Sequence, residues 1–97
     1  MAGRSRYLVC YDIANDKRLR RVEKTVKSFG SRLQFSIFEC PLDELRFQQL
    51  RQALSEIINT EHDQVMFVSL GPAAADSSLR IETIGQPYVS RSRVTVV

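Results

Sequence analysis

Asp12 ends the apolar run Tyr7-Leu8-Val9-Cys10-Tyr11, and a basic stretch, Lys17-Arg18-Leu19-Arg20-Arg21, begins five residues later. A carboxylate at the tip of an apolar strand is costly unless water, a cation or a hydrogen-bond donor meets it. Two readings follow. In one, a nearby arginine pairs with Asp12 and merely fixes the joint between a strand and a helix. In the other, Asp12 helps hold a divalent metal, while helix N-terminal amides and Arg18, Arg20 and Arg21 grip a sugar-phosphate backbone beside it. Mg²⁺ keeps several waters and takes one or two carboxylates, so a lone aspartate is a poor site and two copies across a two-fold axis make an adequate one. A metal held there activates water for in-line attack on a phosphodiester.

The charge pattern bears on the same choice. Lys17 to Arg32 holds seven basic residues and one acidic residue, Glu23, whereas the whole chain carries only +3. Positive charge gathered on one element is an electrostatic footprint for polyanions, although a solvated helix face has the same composition. Arg20, Lys24 and Lys27 fall along one helical row and Arg18 and Arg21 along a neighbouring one. Asn15 and Asp16 have the simpler role of helix caps. Tyr11 has the shape to stack on a base, but tyrosines at such positions more often serve a core or interface; Phe35 and Phe38 likewise read as core before they read as a stacking platform. Cys10 and Cys40 have no C-x-x-C spacing and sit among apolar neighbours, which predicts two buried, reduced thiols. The single histidine, His62, lies in a loop with nothing local to orient it as a base.

The elements that must position these groups follow from periodicity. Tyr7 to Ile13 is apolar on both faces, with Leu8 and Cys10 on one and Tyr7, Val9, Tyr11 and Ile13 on the other, and reads as a central strand. Leu19, Val22, Val26 and Phe29 recur at helical spacing, with Gly30 as the stop. Arg32 to Leu42 is extended, and without an Asn-Gly or Asp-Gly turn it reads equally as one strand or two. Asp43 caps a second helix with Phe47, Leu50, Leu54, Ile57 and Ile58 as its stripe, and Asp63 to Leu70 is a strand apolar on both faces. Arg80 to Ile84 is a short candidate strand, and the tail to Val97 is either docked or frayed.

This order predicts an α+β, ferredoxin-like βαββαβ unit: an antiparallel sheet with both helices on one face and an extra C-terminal strand. The other face is then bare and apolar, which predicts a homodimer. The 97 residues make a single domain, 1–97, with its core at about 7–70 and a C-terminal docking segment at about 79–97. With 43% hydrophobic and 26% charged residues, the composition is that of a globular protein. Its apolar runs are far shorter than the roughly 20 residues of a membrane helix, and no cleavage signal follows the first one. A cytoplasmic location is expected.

Tyr11-Asp12-Ile13, Asp16-Lys17-Arg18, Arg21-Val22, Gly30, the run Arg32-Leu33-Gln34-Phe35-Ser36-Ile37-Phe38-Glu39, and Leu42 together resemble the CRISPR-associated protein 2 family. The resemblance spans about Tyr7 to Leu70. It implies a ferredoxin-like homodimer in the spacer-acquisition machinery, partnering the CRISPR-associated integrase dimer. It further implies a metal-dependent endonuclease acting on single-stranded RNA and, in some members, double-stranded DNA, with Asp12 of each subunit contributing to one shared Mg²⁺. Tyr11, Arg21, Arg32 and Phe38 fall where members have residues linked to activity, and Ser36 lies in the same motif. Leu19 stands where some members have an arginine, with Arg18 and Arg20 flanking it. Two other readings fit the same fold: a non-catalytic scaffold that bridges integrase subunits and binds protospacer DNA, and a toxin-like mRNA interferase.

Overall fold

The computed structural model describes residues 3–75 and 80–89 of the chain. Four strands, β1 (Ser5–Asp12), β2 (Ser31–Gln34), β3 (Ile37–Leu42) and β4 (Gln64–Pro72), form one antiparallel sheet in the order β2-β3-β1-β4. Helices α1 (Asp16–Lys27) and α2 (Glu44–Ser55) both follow from local caps. The side chain of Asn15 accepts from the Arg18 amide at 3.0 Å, and that of Asp43 accepts from the Arg46 amide at 2.8 Å. Val22 and Val26 from α1 and Leu50 and Leu54 from α2 pack on Val9, Tyr11, Phe38, Cys40 and Leu42 of the sheet. Both helices therefore cover one face, and the fold is ferredoxin-like α+β.

Arg32 to Leu42 resolves into two strands joined by the two-residue turn Phe35-Ser36. No non-glycine residue among those described has a positive φ, so this is not one of the glycine-dependent hairpin turns. A side chain and a neighbouring strand hold it instead: Arg32 Nη1 donates to the Phe35 carbonyl at 2.7 Å, and the Tyr11 backbone amide donates to the Ser36 carbonyl at 3.0 Å. The bend and the adjacent register shift change the side-chain parity. Phe38 lies in the core at 0% exposure while Phe35 stands 90% exposed, so the expectation that both are core fails for Phe35.

The second face of the sheet is not bare. The described segment 80–89 forms no strand within the subunit and lies against part of that face, where Tyr88 donates its hydroxyl to the buried carboxylate of Glu39. Glu39 also faces the buried Arg6, with Nη1 at 3.4 Å from Oε1. A carboxylate so enclosed needs such partners, because an uncompensated buried charge is far costlier than an exposed one. Met66 and Val68 of β4 remain exposed on this face. Cys10 is half-buried there rather than buried. Cys40 is buried as expected, and burial first, then the Glu39 charge, pushes its thiol up to about 12. The tail 90–97, including the candidate segment Val94 to Val97, lies outside the described residues. Among the described residues, no helix is long and apolar enough to cross a membrane.

Asp63 braces the end of the sheet that carries Asp12. Its Oδ2 accepts from Arg18 Nε at 2.7 Å and from the Asn59 amide at 2.8 Å, while Oδ1 accepts from Arg18 Nη2 at 3.1 Å and the Ala14 amide at 2.9 Å. The Arg18 guanidinium, aided by the two amides and opposed by desolvation, holds the Asp63 carboxyl well below the usual carboxylate range. Since the folded form resists protonation, its stabilisation is complete above the unfolded carboxylate's value and is lost as pH falls below about 4. Asp63→Asn should therefore lower Tm by several degrees at pH 7, and this deficit should shrink at pH 3; thermal melts showing an equal deficit at both values would contradict the brace. Gly30 is tied to the fold by space. A Cβ there would overlap the Glu39 carbonyl oxygen and lie 2.6 Å from Cys40 Sγ, so Gly30→Ala should cost about 1–3 kcal/mol in urea denaturation. An unchanged midpoint would show that β2 and β3 part easily.

Candidate nucleic-acid and metal site

Asp12 is the last residue of β1 and is exposed. Its carboxylate forms no hydrogen bond or ion pair with the described residues. Of the nearby arginines that could pair with it, Arg18 is taken by Asp63, so the strand-helix joint is fixed by an aspartate 45 residues from Arg18 in the chain. Asp12 opens onto a cleft of about 300 Å³ shared with Tyr11, Glu23, Arg32, Phe35 and Ser36. Leu19 also reaches this cleft while packing on the core.

The wall of the cleft is a linked set of contacts. Glu23, on α1, pairs with Arg32 of β2. The Arg32 guanidinium lies over the Phe38 ring, 5.1 Å from its centroid, and the Tyr11 ring stacks near Phe38 at 6.2 Å. The Tyr11 hydroxyl donates to the Phe35 carbonyl at 3.4 Å. Burial first, then the negative charge of Glu23, raises the Tyr11 phenol above its ordinary value, so it stays a neutral donor. Arg32 is thus held in place by an anion, a ring face and a carbonyl.

The proposed site residues separate into three groups. Asp12 and Ser36 border the cleft, and Arg20, Arg21 and Lys24 are exposed on α1 without ion pairs to described residues. Arg18 and Arg32 are engaged with acidic partners, which leaves them half-buried. Tyr11 and Phe38, at 5% and 0% exposure in the single subunit, shape the cleft from beneath. Sequence reasoning missed Glu23 and Asp63 as positioning groups and Phe35 as an exposed ring. Glu23 had a signal, being the one acidic residue within a basic run. Asp63 had none, since its partners are distant in the chain.

Among the described residues no cluster of three or more histidine, cysteine, aspartate or glutamate side chains has metal-binding geometry. Of the two carboxylates that line the cleft, Glu23 is engaged by Arg32, and that of Asp12, unpaired among the described residues, is an oxygen donor suited to a partly hydrated Mg²⁺ if a second carboxylate joins it.

Comparison with known proteins agrees with this fold and motif. Residues 5–78 match the family model described as CRISPR associated protein Cas2. The chain is 38% identical over 91 residues to the CRISPR-associated endoribonuclease Cas2 of Geobacter sulfurreducens, covering 94% of this chain and 95% of that protein. It superposes on Streptococcus pyogenes Cas2, from a crystal structure at pH 6.5, with a TM-score of 0.71 and 34% identity, covering 82% and 99% of the two chains. A chain of a structure described as a partial Cas6-RT-Cas1–Cas2 complex gives a TM-score of 0.71 and 30% identity, with 86% and 88% covered. With a ferredoxin-like fold, the family's motif at the end of β1 and a family-model match over most of its length, the chain belongs to the CRISPR-associated protein Cas2 family.

Proposed function

We propose that two copies of this chain associate through the helix-free face of the sheet and form a Mg²⁺-dependent endonuclease that hydrolyses phosphodiester bonds of single-stranded RNA and double-stranded DNA. The observation that carries this reading is the exposed Asp12 carboxylate, unpaired among the described residues and opening onto a cleft bordered by α1, the helix whose exposed side chains include Arg20, Arg21 and Lys24. Each subunit supplies one such oxygen donor, and two-fold association supplies the second. When bound, Mg²⁺ activates water and stabilises charge at the phosphorus-bound oxygens. The chain's own residues bring the strand there: Arg20, Arg21 and Lys24 draw phosphates to α1, while the braced Arg32 and Arg18 keep the cleft's shape. The name endoribonuclease carried by the Geobacter sulfurreducens relative supports the reaction class.

A second role fits the same molecule. The structural neighbour described as part of a complex with Cas1 supports a place in the spacer-acquisition assembly, with the integrase dimer as partner. In that setting the basic face of α1 supports DNA without any need for Asp12.

Replacing Asp12 with Asn should reduce Mg²⁺-dependent cleavage of RNA and duplex DNA by about 10²-fold or more, since metal stabilisation of the transition state is worth several kcal/mol. Cleavage persisting in a contaminant-free Asp12→Asn preparation would remove the nuclease mechanism, and integrase co-assembly surviving the change would leave the scaffold role standing. The basic face is tested by salt. Binding should weaken linearly in log affinity against log salt, and Arg20→Ala with Lys24→Ala should lower the slope on duplex DNA by about 1.8. An affinity independent of salt would exclude α1 from the contact.

A further inference from the structure

We propose that Phe35 is a base-stacking residue: its ring, at the tip of the β2-β3 turn, packs against an unpaired nucleobase of the strand whose backbone lies along α1. The inference rests on the nucleic-acid reading above and adds to it a contact with the base itself.

Phe35 is 90% exposed, whereas the other seven phenylalanine and tyrosine side chains are buried or half-buried. Hydrophobic residues scattered singly on a surface need no explanation. What distinguishes this one is its support. The Phe35 carbonyl accepts from Arg32 at 2.7 Å and from Tyr11 at 3.4 Å, and the next carbonyl accepts from the Tyr11 amide at 3.0 Å. Arg32 is fixed in turn by Glu23 and by the Phe38 ring. Two side chains and a backbone amide thus steady a turn that contains no glycine, and that turn presents an apolar ring to solvent. Ordering of the backbone beneath the ring precedes any binding, which favours affinity.

The neighbours of Phe35 favour a nucleic acid over a protein. It shares its cleft with the polar side chains of Asp12, Glu23, Arg32 and Ser36 as well as with Tyr11, Ile13 and Leu19, so the exposed ring stands where apolar and charged groups meet, a mixture that suits a nucleotide's flat base and charged backbone. Of the other exposed apolar side chains, Met66 and Val68 lie on β4, at the opposite edge of the sheet from β2, Leu45 lies on α2, and Ile84 and Val89 belong to the segment 80–89; none of them lines the cleft that holds Phe35. Leu19 and Glu23 of α1 border the cleft, and Arg20 and Lys24 form the next row of that helix. A strand held by its phosphates on that row has a base within the sector that the ring occupies. Stacking is tolerant of sequence because every base has a π face, which suits a site with no evident base-edge code.

The test measures equilibrium binding of a single-stranded oligonucleotide, intact or with one abasic position scanned along it, to wild type, Phe35→Ala and Phe35→Trp. The exposed ring is not needed for folding, which thermal melts of each variant verify. Phe35→Ala should weaken binding about tenfold, as expected for one lost stack, and Phe35→Trp should restore it. The salt slope should not change, because no phosphate contact is removed. An abasic site at the stacked position should weaken wild type by a similar factor and leave Phe35→Ala unaffected. Equal abasic penalties in the two proteins would overturn the proposal, as would unchanged affinity in Phe35→Ala, or a loss of subunit or integrase association in its place. If Phe35→Ala is unchanged while Arg20→Ala with Lys24→Ala still lowers the salt slope, stacking fails and the nucleic-acid reading stands. If wild type binds no nucleic acid, both fail.

Discussion

The carboxylate of Asp12, unpaired among the described residues, is the constraint on which the account of this molecule turns, and Arg18, the arginine held at the same strand-helix joint, answers a costlier demand. Arg18 faces Asp63 and Arg6 faces Glu39, two carboxylates whose side chains have no solvent exposure. Leaving either without a cation would strand a buried charge, whereas Asp12 at the open end of β1 is served by water. The cations are therefore drawn inward. One acidic group at the solvent edge is left without a cation among the described residues, and Arg20, Arg21 and Lys24 stay exposed on α1, as the proposed metal and phosphate contacts require.

The cleft has a similar logic. Glu23 on α1, Arg32 on β2 and Phe38 on β3 connect three elements around one guanidinium. The Glu23-Arg32 pair is partly exposed and by itself contributes little to stability. Its effect is geometric: it fixes where the Phe35-Ser36 turn sits relative to the end of β1. Tyr11 completes the arrangement from below, since the residue before Asp12 bonds the same turn through both its amide and its hydroxyl. A change in the turn is thereby transmitted directly to the strand that carries the acidic group.

Much of this was legible in the sequence wherever the cause is local. Helical periodicity placed both helices, Asn15 and Asp43 capped them as their side chains predict, and the two-faced apolarity of Tyr7 to Ile13 placed β1 centrally. What escaped depends on contacts distant in the chain. The Phe35-Ser36 bend carries no turn signature because Arg32 and Tyr11 hold it, and without the bend the alternation of residues 33–38 points Phe35 inward. Asp63, in an unremarkable loop, becomes the brace for α1 only after folding brings Arg18 to it. Glu39 looked like a motif residue and is a buried anion, met by Arg6 of β1 and by Tyr88 from far along the chain.

The most direct measurement is the stoichiometry of divalent-ion binding in solution, read by titration calorimetry with Mg²⁺ and by electron paramagnetic resonance with Mn²⁺ as its substitute. The account predicts one specific ion for every two chains, abolished by Asp12→Asn while the subunit pair stays intact. One ion per chain, or binding indifferent to residue 12, would contradict it.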